Sequence, residues 1–460
     1  MLWNLDEIYN ALDIKIQINE NLSFNEISID SRKITQKSLF IPIKGEKYDG
    51  HKFIDAVAKK GVRVCLAEKK KKHLIKNKKI ILIEVNDTLD SLKKLAVYAR
   101  NRIKNLKIIC ITGSNGKTTL KEWLKETLKS NFVVYSNPGN FNNLIGMPIT
   151  LVNIPQDTQL CILELGMNTY GEIKKLAKIA NPHIAIITNI GSAHIGNFKN
   201  INEIAKEKSE IFCFLNKKSI AVIPGDSDYF KFLNNKAKIK TDNIITYGTG
   251  INFQSKYEEQ KNNLFSFFIS KIKIRLKKKI IFKNWENNIL IILSVMNILQ
   301  LDLKKKYKIL ESLRPLPGRG EVLHIKNKSK KFFLIDESYN SNPNSLRTAI
   351  LNLNKETYKF NKKILIIGDM LELGKFSKRL HTEIIPIICN IQPKLVITVG
   401  NSSKVISENL PSNILSFHFK KVFYVYNKLL NKVENNDIVL VKGSNSIKLS
   451  MLTKFLSQGK

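Results

Sequence analysis

The stretch Ile111–Thr119, ITGSNGKTT, is the part of the sequence that most directly indicates a fold. It continues the apolar run Ile108–Ile111, whose residues favour a buried β-strand. After it, apolar residues recur at the spacing of one helix face, at Leu120, Trp123, Leu124 and Leu128. The pattern predicts a strand–loop–helix unit in which Gly113–Gly116 form the turn.

The glycines and the residues after them predict a phosphate-binding loop. Glycine lets main-chain N–H groups approach an anion, and the start of the helix adds its positive dipole. Lys117 would meet the β- and γ-phosphates of a nucleotide, while the Thr118 hydroxyl would bind Mg²⁺. The loop is shorter than G-x-x-x-x-G-K-[ST] because Ile111 occupies the place of the first glycine, so an ordinary tight turn is the alternative.

The composition fits several domains and a strongly basic surface. A chain of 460 residues corresponds to about three domains of ordinary size. Its net charge of +37 suggests a nucleic-acid-binding protein as one alternative. The basic residues are, however, spread through the whole chain without regularly interleaved aromatics, and Ile, Asn and Lys are residues that AT-rich codons encode. We therefore interpret the charge as solvated surface and expect no nucleic-acid partner.

The sequence predicts a cytoplasmic protein that does not insert into a membrane. The first ten residues, MLWNLDEIYN, lack the basic region and apolar core of a signal peptide. The most apolar stretch, Ile289–Leu299, is too short to cross a bilayer. The cysteines are far apart, and no pair has metal-ligand spacing, which favours reduced thiols at Cys65, Cys110, Cys161, Cys213 and Cys389.

Strand and helix patterns alternate along the chain and predict an α/β protein of three domains. We predict a small N-terminal α/β domain over residues 1–85, a central P-loop-type domain with a mostly parallel sheet over residues 86–314, and a C-terminal Rossmann-like α/β domain over residues 315–460. The last boundary falls at PLPGRGE, whose prolines and glycines are typical of a hinge. No G-x-G-x-x-G follows a strand, so this alternation does not indicate a dinucleotide.

Polar residues follow several of the predicted central strands. Glu164 closes the apolar run Leu160–Leu163, and a carboxylate there is costly unless it is paired or bound to a metal. Open α/β sheets bind ligands at this edge, so Glu164 is a Mg²⁺ candidate, with a helix N-cap or a salt bridge as the alternative. His194 follows the run Ile184–Ile187 and is either a metal ligand or a hydrogen-bonded structural histidine. The asparagine cluster after residue 139 indicates either a turn or a ligand-facing loop.

Taken in order, these motifs resemble the Mur ligases, and the resemblance extends from DSR at Asp30 to VKGS at Val441. TGSNGKTT, TNIGSAH and the GR-E element of PGRGE are similar to motifs shared across that family. KGEKYDGH, NFNNLIGMP, ELGMN, DESYNSNPNS and IGDMLELG resemble one branch of it in particular.

The resemblance implies an ATP-dependent ligase of peptidoglycan precursor synthesis that acts as a cytoplasmic monomer. The implied substrates are UDP-N-acetylmuramoyl-tripeptide and D-alanyl-D-alanine, joined through an acyl phosphate with the help of ATP and two Mg²⁺ ions. Another Mur-type or a folylpolyglutamate-type amide ligase is the neighbouring alternative, because such ligases share the phosphate loop and the region of His194. A basic P-loop ATPase that acts on nucleic acid is the alternative from a different class.

The resemblance also implies a role for individual residues. In the N-terminal domain the UDP-sugar would contact Ser31 and Arg32. ATP would contact the phosphate loop and three later positions, namely Gly113, Ser114, Asn115, Gly116, Lys117, Thr118, Thr119, Asn287, Arg319 and Asp336. The remaining substrate groups would contact Asn140, Asn142, Asn143, Tyr339, Asn340 and Asn342.

The same resemblance implies a catalytic set and a metal site. The catalytic residues would be Lys117, Lys208, His194 and Arg319. The metal ligands would be Thr118, Glu164, His194 and Lys208, the last as a carbamate, which turns an ammonium group into an anionic oxygen ligand. Two departures from the family pattern concern the adenine contacts, where Glu286 and Leu290 replace a histidine and an asparagine, and the C-terminal region, where Asn445 replaces an arginine.

Overall fold

The computed structural model describes residues 1–15, 20–77, 79–260, 264–277, 285–327, 330–353 and 361–458. Within these ranges the strands form one two-stranded pair and three larger sheets that follow one another along the chain. The architecture is α/β with a mostly parallel central sheet, which confirms the predicted fold class. The exact boundaries between domains stay a prediction.

The first unit is a four-stranded parallel sheet with the order β3-β4-β5-β6, beside a short antiparallel pair of β1 and β2. Its elements are β1 Trp3–Asn4, α1 Leu5–Leu12, β2 Ser23–Phe24, β3 Glu26–Ser28, β4 Ser38–Phe40, α2 Ile54–Lys59, β5 Val64–Glu68, β6 Ile81–Val85 and α3 Thr88–Asn101. Helix α1 begins with a capping box, in which the Asn4 side chain and Glu7 satisfy each other's main-chain N–H groups.

The central unit is a nine-stranded sheet with the order β15-β14-β13-β12-β11-β10-β7-β9-β8. Strand β14 runs antiparallel to both β13 and β15, and the other neighbouring strands of the described chain are parallel. Its elements are β7 Lys107–Thr112, α4 Lys117–Leu128, β8 Val134–Ser136, α5 Gly146–Val152, β9 Leu160–Glu164, α6 Glu172–Ala180, β10 Ile184–Ile187, α7 Ile201–Ser209, β11 Ile220–Pro224, α8 Phe230–Lys238, β12 Ile244–Gly248, β13 Ser255–Glu259, β14 Leu264–Ile269, β15 Ile272–Lys277, α9 Trp285–Ile298 and α10 Leu303–Lys306.

The centre of this sheet is buried on both faces. In β7, Ile109 and Ile111 pack into the core that contains α4 and α9, while Ile108 and Cys110 point into the core on the other face. A strand covered on both sides must be apolar at consecutive positions rather than at alternate ones. This requirement explains why the strands before the phosphate loop and before Glu164 are continuous apolar runs in the sequence.

The third unit is a six-stranded sheet with the order β16-β17-β21-β18-β19-β20, parallel except for the β16–β17 pair. Its elements are β16 Glu321–Asn327, β17 Lys330–Glu337, α11 Pro343–Asn352, β18 Lys363–Gly368, α12 Ser377–Thr382, α13 Ile385–Ile391, β19 Leu395–Val399, α14 Lys404–Glu408, β20 Leu415–Phe419, α15 Val425–Lys432, β21 Ile438–Lys442 and α16 Leu449–Ser457.

Several patterns of the sequence agree with these bounds. The apolar runs Ile184–Ile187, Ile220–Pro224 and Leu395–Val399 predict buried strands, and they match β10, β11 and β19 residue for residue. Residues 250–283 are basic and strand-like in the sequence, which predicts a peripheral β region. This region corresponds to β13, β14 and β15, and residues 278–283 lie outside the described ranges. All five cysteines are free thiols, and no helix in the described part of the chain has the length and apolar character needed to cross a bilayer.

The first unit is tied to the central unit through a buried tryptophan. The Trp3 indole N–H donates to the carbonyl of Val152 at the end of α5, 2.7 Å away. The Arg102 guanidinium lies 4.0 Å from the centre of the Trp3 ring, and Glu7 holds that guanidinium at 3.2 Å. Trp3 therefore supplies both apolar contact and a directed hydrogen bond between the two units.

We predict that Trp3→Ala destabilises the protein by about 3 to 5 kcal/mol, because it removes a fully buried aromatic side chain. Trp3→Phe keeps a ring and loses the hydrogen bond to Val152, so its cost should be smaller. The measurement is the first unfolding transition in urea, followed by far-UV circular dichroism. If both variants unfold at the same urea concentration as the wild type, Trp3 does not have this role.

Candidate functional site

The predicted phosphate loop lies between the end of β7 and the start of α4. Gly113 and Gly116 have φ angles of +147° and +83°, which residues with a side chain rarely adopt. At Gly113 a side chain would also collide with the Thr188 hydroxyl. The two glycines thus allow the chain to turn from the strand into the helix in close contact with the segment that follows β10.

The TNIGSAH segment after β10 fixes the shape of this loop. The Ser114 hydroxyl donates to the Gly191 carbonyl at 3.0 Å and accepts from the Gly191 N–H at 2.8 Å. The Asn189 side chain accepts from the Asn115 N–H at 2.9 Å, and the Thr188 hydroxyl donates to the Asn115 carbonyl at 2.6 Å. Two motifs that are about 75 residues apart in the sequence therefore form one rigid structure.

Two lysine side chains donate to the same main-chain oxygen of the loop. Lys117 Nζ lies 2.7 Å from the Gly113 carbonyl oxygen, and Lys208 Nζ lies 3.0 Å from it. Lys208 is almost completely buried, and burial, with the nearby Lys117 charge as the second cause, lowers its pKa well below the ordinary value. Burial also lowers the pKa of Lys117. Both amines would gain from an anion placed at the loop.

Glu164, at the carboxyl end of β9, is a buried carboxylate held by neutral groups. One carboxylate oxygen accepts from the Thr118 hydroxyl at 2.7 Å, and the other accepts from the Asn142 amide at 2.8 Å. Asn137 fixes the Glu164 main chain on both its N–H and its carbonyl. Among the described residues, no Lys or Arg nitrogen is close enough to Glu164 to form an ion pair. A buried carboxylate in this state has the charge that a cation requires.

The third unit reaches the phosphate loop through two side chains. Arg319 donates to the Thr118 hydroxyl at 3.0 Å, and its guanidinium lies 3.9 Å from the centre of the Tyr339 ring. Asn342 caps the start of α11 and donates through its amide to the Asn115 side chain at 2.6 Å. These two contacts place the third unit against the nucleotide loop in this structure.

A second contact between these units lies at His194. The His194 Nδ1 atom lies 2.6 Å from the Glu372 carboxylate, and this close contact lowers the pKa of Glu372. The Gly196 N–H donates to the Glu372 carbonyl at 2.8 Å. A Cβ atom at Gly196 would lie 2.5 Å from the Gly374 nitrogen, so the two loops contact each other at a pair of glycines.

These groups surround a cleft of about 400 Å³, within the range of small-molecule sites. The predicted site residues that line it are Ser114, Asn115, Gly116, Lys117, Thr118, Thr119, Asn140, Asn142, Asn143, Glu164, His194, Arg319, Tyr339, Asn340 and Asn342. The structure thus brings together residues of the central and third units that are far apart in the sequence, because the lining extends from Ser114 to Lys442.

Several predicted residues are absent from the cleft lining. Gly113 and Lys208 contact each other, with the Lys208 amine 3.0 Å from the Gly113 carbonyl oxygen, and neither lines the cleft. The neighbours of two predicted nucleotide contacts line the cleft in their place, Asn288 instead of Asn287 and Glu337 instead of Asp336. Asp336 accepts from the Ser338 N–H at 3.0 Å, so its carboxylate shapes the loop after β17.

Ser31 and Arg32 lie in the first unit, away from this lining. Arg32 forms two hydrogen bonds of 2.8 Å to the Asp30 carboxylate and lowers the pKa of Asp30 to about 2. Lys60 donates to the Ser31 carbonyl at 2.8 Å. The predicted UDP-sugar contacts are therefore an exposed, locally ordered loop rather than part of the cleft.

Sequence reasoning did not assign a role to Glu372 or Lys442, although both line the cleft. Glu372 belongs to IGDMLELG and Lys442 to VKGS, so each lay in a motif that was recognised without a function. Lys442 forms an ion pair of 2.8 Å with Glu337 and donates to the Asn340 carbonyl at 2.9 Å. It thereby holds the loop that carries Tyr339 and Asn340.

The donor set fits a magnesium site that is completed by substrate oxygens. In the described residues no cluster of three or more His, Cys, Asp or Glu side chains could hold a metal by itself. Mg²⁺, however, is usually bound through one or two carboxylates together with phosphates and waters. Glu164 and Thr118 provide such a partial set next to the loop.

Comparison with known proteins identifies relatives over the full length of the chain. Residues 23–100 match the domain described as Mur ligase family, catalytic domain, residues 111–296 match the Mur ligase middle domain, and residues 318–445 match the Mur ligase, glutamate ligase domain. UDP-N-acetylmuramoyl-tripeptide–D-alanyl-D-alanine ligase of Rickettsia prowazekii is 34% identical, covering 99% of this chain and 100% of that protein. The enzyme of the same name from Bacillus subtilis is 32% identical, over 95% of this chain and 94% of that protein.

Solved structures agree with these matches. A crystal structure of MurF from Acinetobacter baumannii superposes with a TM-score of 0.86 at 25% identity and covers 99% of both chains. The crystal structure of MurF ligase from Thermotoga maritima in complex with ADP gives a TM-score of 0.79 at 26% identity, covering 94% of this chain and 97% of that one.

We predict that Gly196→Ala opens the contact between the central and third units. The added methyl group would collide with Gly374, and overpacking of this kind costs about 1 to 3 kcal/mol, which shifts the population toward an open arrangement. Small-angle X-ray scattering should then show a larger radius of gyration than for the wild type. Lys199→Ala, at an exposed position of the same loop, is the matched control, and equal scattering of all three proteins would contradict the prediction.

Proposed function

Because the chain belongs to the Mur ligase family, we propose that it joins D-alanyl-D-alanine to UDP-N-acetylmuramoyl-tripeptide at the expense of ATP. The products are the pentapeptide precursor of peptidoglycan, ADP and phosphate. One observation carries the proposal. In a chain whose full-length relatives have that name, Glu164 and Arg319 meet at the Thr118 hydroxyl, directly beside the phosphate loop.

The chemistry explains why such a cleft is needed. A carboxylate does not react with an amine until one of its oxygens is converted into a leaving group. In the first step a carboxylate oxygen of the tripeptide forms a bond to the γ-phosphorus, and the bond from that phosphorus to the bridging oxygen of ADP breaks. In the second step the dipeptide amine attacks the carbonyl carbon, phosphate leaves, and the nitrogen loses a proton.

The positive side chains of the cleft are placed to stabilise the charge of this transfer. Lys117 extends from the start of α4 along the loop, and Arg319 approaches the same hydroxyl from the third unit. Donors that are fixed before the reaction stabilise developing charge without reorganising. The contacts of the third unit also cover the cleft, and covering protects an acyl phosphate from water.

We propose that Thr118, Glu164 and His194 hold magnesium, with Lys208 as a carbamate completing the set. Magnesium, when bound, supplies positive charge that the phosphate oxygens share. The buried Glu164 carboxylate without an ion-pair partner in the described chain supports this assignment. His194 contacts Glu372 of the third unit in this structure. The same imidazole would therefore take part both in metal binding and in the contact between the two units.

The environment of Lys208 suits carbamate formation. Carbon dioxide reacts only with the neutral amine, forming an N–C bond and releasing one proton. Burial lowers the pKa of Lys208 well below its ordinary value and so increases the neutral fraction of the amine. The carbamate would then place a negative charge beside Lys117 and remove the repulsion between the two amines.

We further propose that the remaining substrate contacts are divided between the units. Ser31 and Arg32 would meet the UDP-sugar in the first unit. Asn140, Asn142 and Asn143 would face the nucleotide and the tripeptide, while Tyr339, Asn340 and Asn342 would face the dipeptide, and all six line the cleft. We also propose that the protein is a cytoplasmic monomer, and the free thiols support the cytoplasmic location.

The proposed activity predicts ADP release that requires both UDP-N-acetylmuramoyl-tripeptide and D-alanyl-D-alanine. Lys117→Ala should lower turnover by roughly 10²- to 10³-fold because it removes a fixed positive charge at the phosphates. Lys125→Ala, at an exposed position of the same helix, is the matched control and should retain full turnover. The tripeptide is assayed with diaminopimelate or lysine as its third residue.

Two results of this assay would refute the proposal. Turnover with single amino acids but not with the dipeptide would indicate another amide ligase of the family. ADP release stimulated by DNA or RNA, and unaffected by precursor and dipeptide, would indicate a nucleic-acid ATPase.

For the carbamate we predict a ¹³C NMR signal after equilibration with ¹³C-labelled bicarbonate. Lys208→Arg should lack the signal, since a guanidinium cannot form this carbamate, whereas Lys206→Arg, at an exposed position of the same helix, should keep it. Removal of carbon dioxide should lower wild-type turnover reversibly. An intact mass showing unmodified protein in the presence of ATP and Mg²⁺ would contradict the carbamate.

A further inference from the structure

The outer surface of the third unit carries an apolar patch made of two neighbouring elements. Phe423 and Tyr424 lie in a single helical turn after β20 and are 82% and 59% exposed. Met451 and Phe455 lie on α16 and are 60% and 45% exposed. That turn packs against α16, so the four side chains form one surface, which we call the aromatic patch.

The position of the patch on α16 is unusual for a surface helix. Leu449, Leu452 and Leu456 point inward and fill the core of the third unit. Met451 and Phe455 are four residues apart, and so they share the opposite face, where polar residues are expected. The helix is therefore apolar on the side that its own domain does not cover.

Ring contacts hold the aromatic patch in place. The Tyr424 ring stacks on Phe419 with centroids 6.4 Å apart and contacts the Phe423 ring at 5.6 Å. Phe455 packs edge-on against Tyr426 at 4.6 Å. Because neighbouring rings hold these side chains in fixed positions, the side chains stay exposed in the folded protein.

The two sequence segments that carry the aromatic patch contain lysines and no acidic residue. Exposed lysines flank both of its elements, at Lys420, Lys421, Lys448 and Lys454. No Asp or Glu occurs in residues 409–433 or 438–460. The two carboxylates between these segments are engaged elsewhere, since Glu434 pairs with Lys394 at 2.9 Å and Asp437 is fully buried.

We propose that the aromatic patch docks the protein on the surface of an anionic lipid bilayer. Phenylalanine and tyrosine side chains enter the interfacial layer of a bilayer, while lysines beside them meet the anionic headgroups. The net charge of +37 attracts the whole molecule toward such a surface, and the aromatic patch determines which face of the protein contacts the bilayer. Docking of this kind is peripheral and needs no membrane-spanning helix.

The size of the patch favours a bilayer over a protein partner. A stable protein interface covers about 800 Å² on each partner, with polar residues of both signs at its rim. Four partly exposed side chains offer less area than that, and their rim has a single sign of charge. None of the four lines the cleft, so a docked protein would keep its candidate active site accessible.

The test is cosedimentation of the full chain with vesicles of phosphatidylglycerol and phosphatidylcholine in equal parts, and with phosphatidylcholine vesicles alone. We expect binding to the mixed vesicles only. The double variant Phe423→Ser with Phe455→Ser should reduce the affinity roughly tenfold, because two interfacial side chains are lost. Replacing Lys420 and Lys421 by Gln should also weaken binding and reduce its dependence on salt.

The matched control replaces two exposed isoleucines of the central unit, Ile239→Ser with Ile251→Ser, and should bind as the wild type does. Circular dichroism confirms that every variant is folded. If the double phenylalanine variant binds the mixed vesicles as tightly as the wild type, charge alone drives binding and the proposed role of the aromatic patch is wrong. If the wild type does not bind the mixed vesicles at low salt but binds an acidic peptide, the aromatic patch is a protein-binding surface and the proposed docking on a bilayer is wrong.

Discussion

The hydroxyl of Thr118 is the point on which the site depends. It donates its only proton to Glu164 at the end of a central strand and accepts a hydrogen bond from Arg319 of the third unit. A hydroxyl can donate one hydrogen bond and accept two. Because the Thr118 proton points to Glu164, the hydroxyl oxygen is free to accept the hydrogen bond from Arg319. One atom, the Thr118 hydroxyl oxygen, therefore connects the nucleotide loop, the Glu164 carboxylate and the third unit. A rotation of the third unit would break its contact with Arg319.

A second constraint is the concentration of positive charge behind the loop. Lys117 and Lys208 share the Gly113 carbonyl, and burial disfavours the charged form of both amines. The nearby carboxylates are bound to other groups, since Glu164 accepts from two neutral side chains, Glu372 pairs with His194 and Glu207 accepts from main-chain N–H groups. The arrangement favours the binding of negatively charged groups, which agrees with phosphates in front of the loop and a carbamate behind it.

Strand geometry makes much of the fold and the phosphate loop readable from the sequence, whereas the resemblance to the Mur ligases implied most of the residues that line the cleft. Central parallel strands are apolar runs, so Ile184–Ile187 and Leu395–Val399 could be located residue for residue. Parallel strands also bring their carboxyl ends to one edge, and therefore Glu164 and the loop after Ile111 were expected to meet. The contact of Glu164 with Thr118 follows from that edge.

Local patterns are thus sufficient to predict the strands and helices along the chain, the glycine turn and the motifs at strand ends. The packing of the folded chain, in contrast, determines that Asn288 rather than Asn287 lines the cleft, since consecutive residues of a helix point about 100° apart and packing sets the rotation. Packing also brings Glu372 against His194 and Lys208 against the Gly113 carbonyl. Those contacts depend on how separate units pack together, which no local pattern specifies.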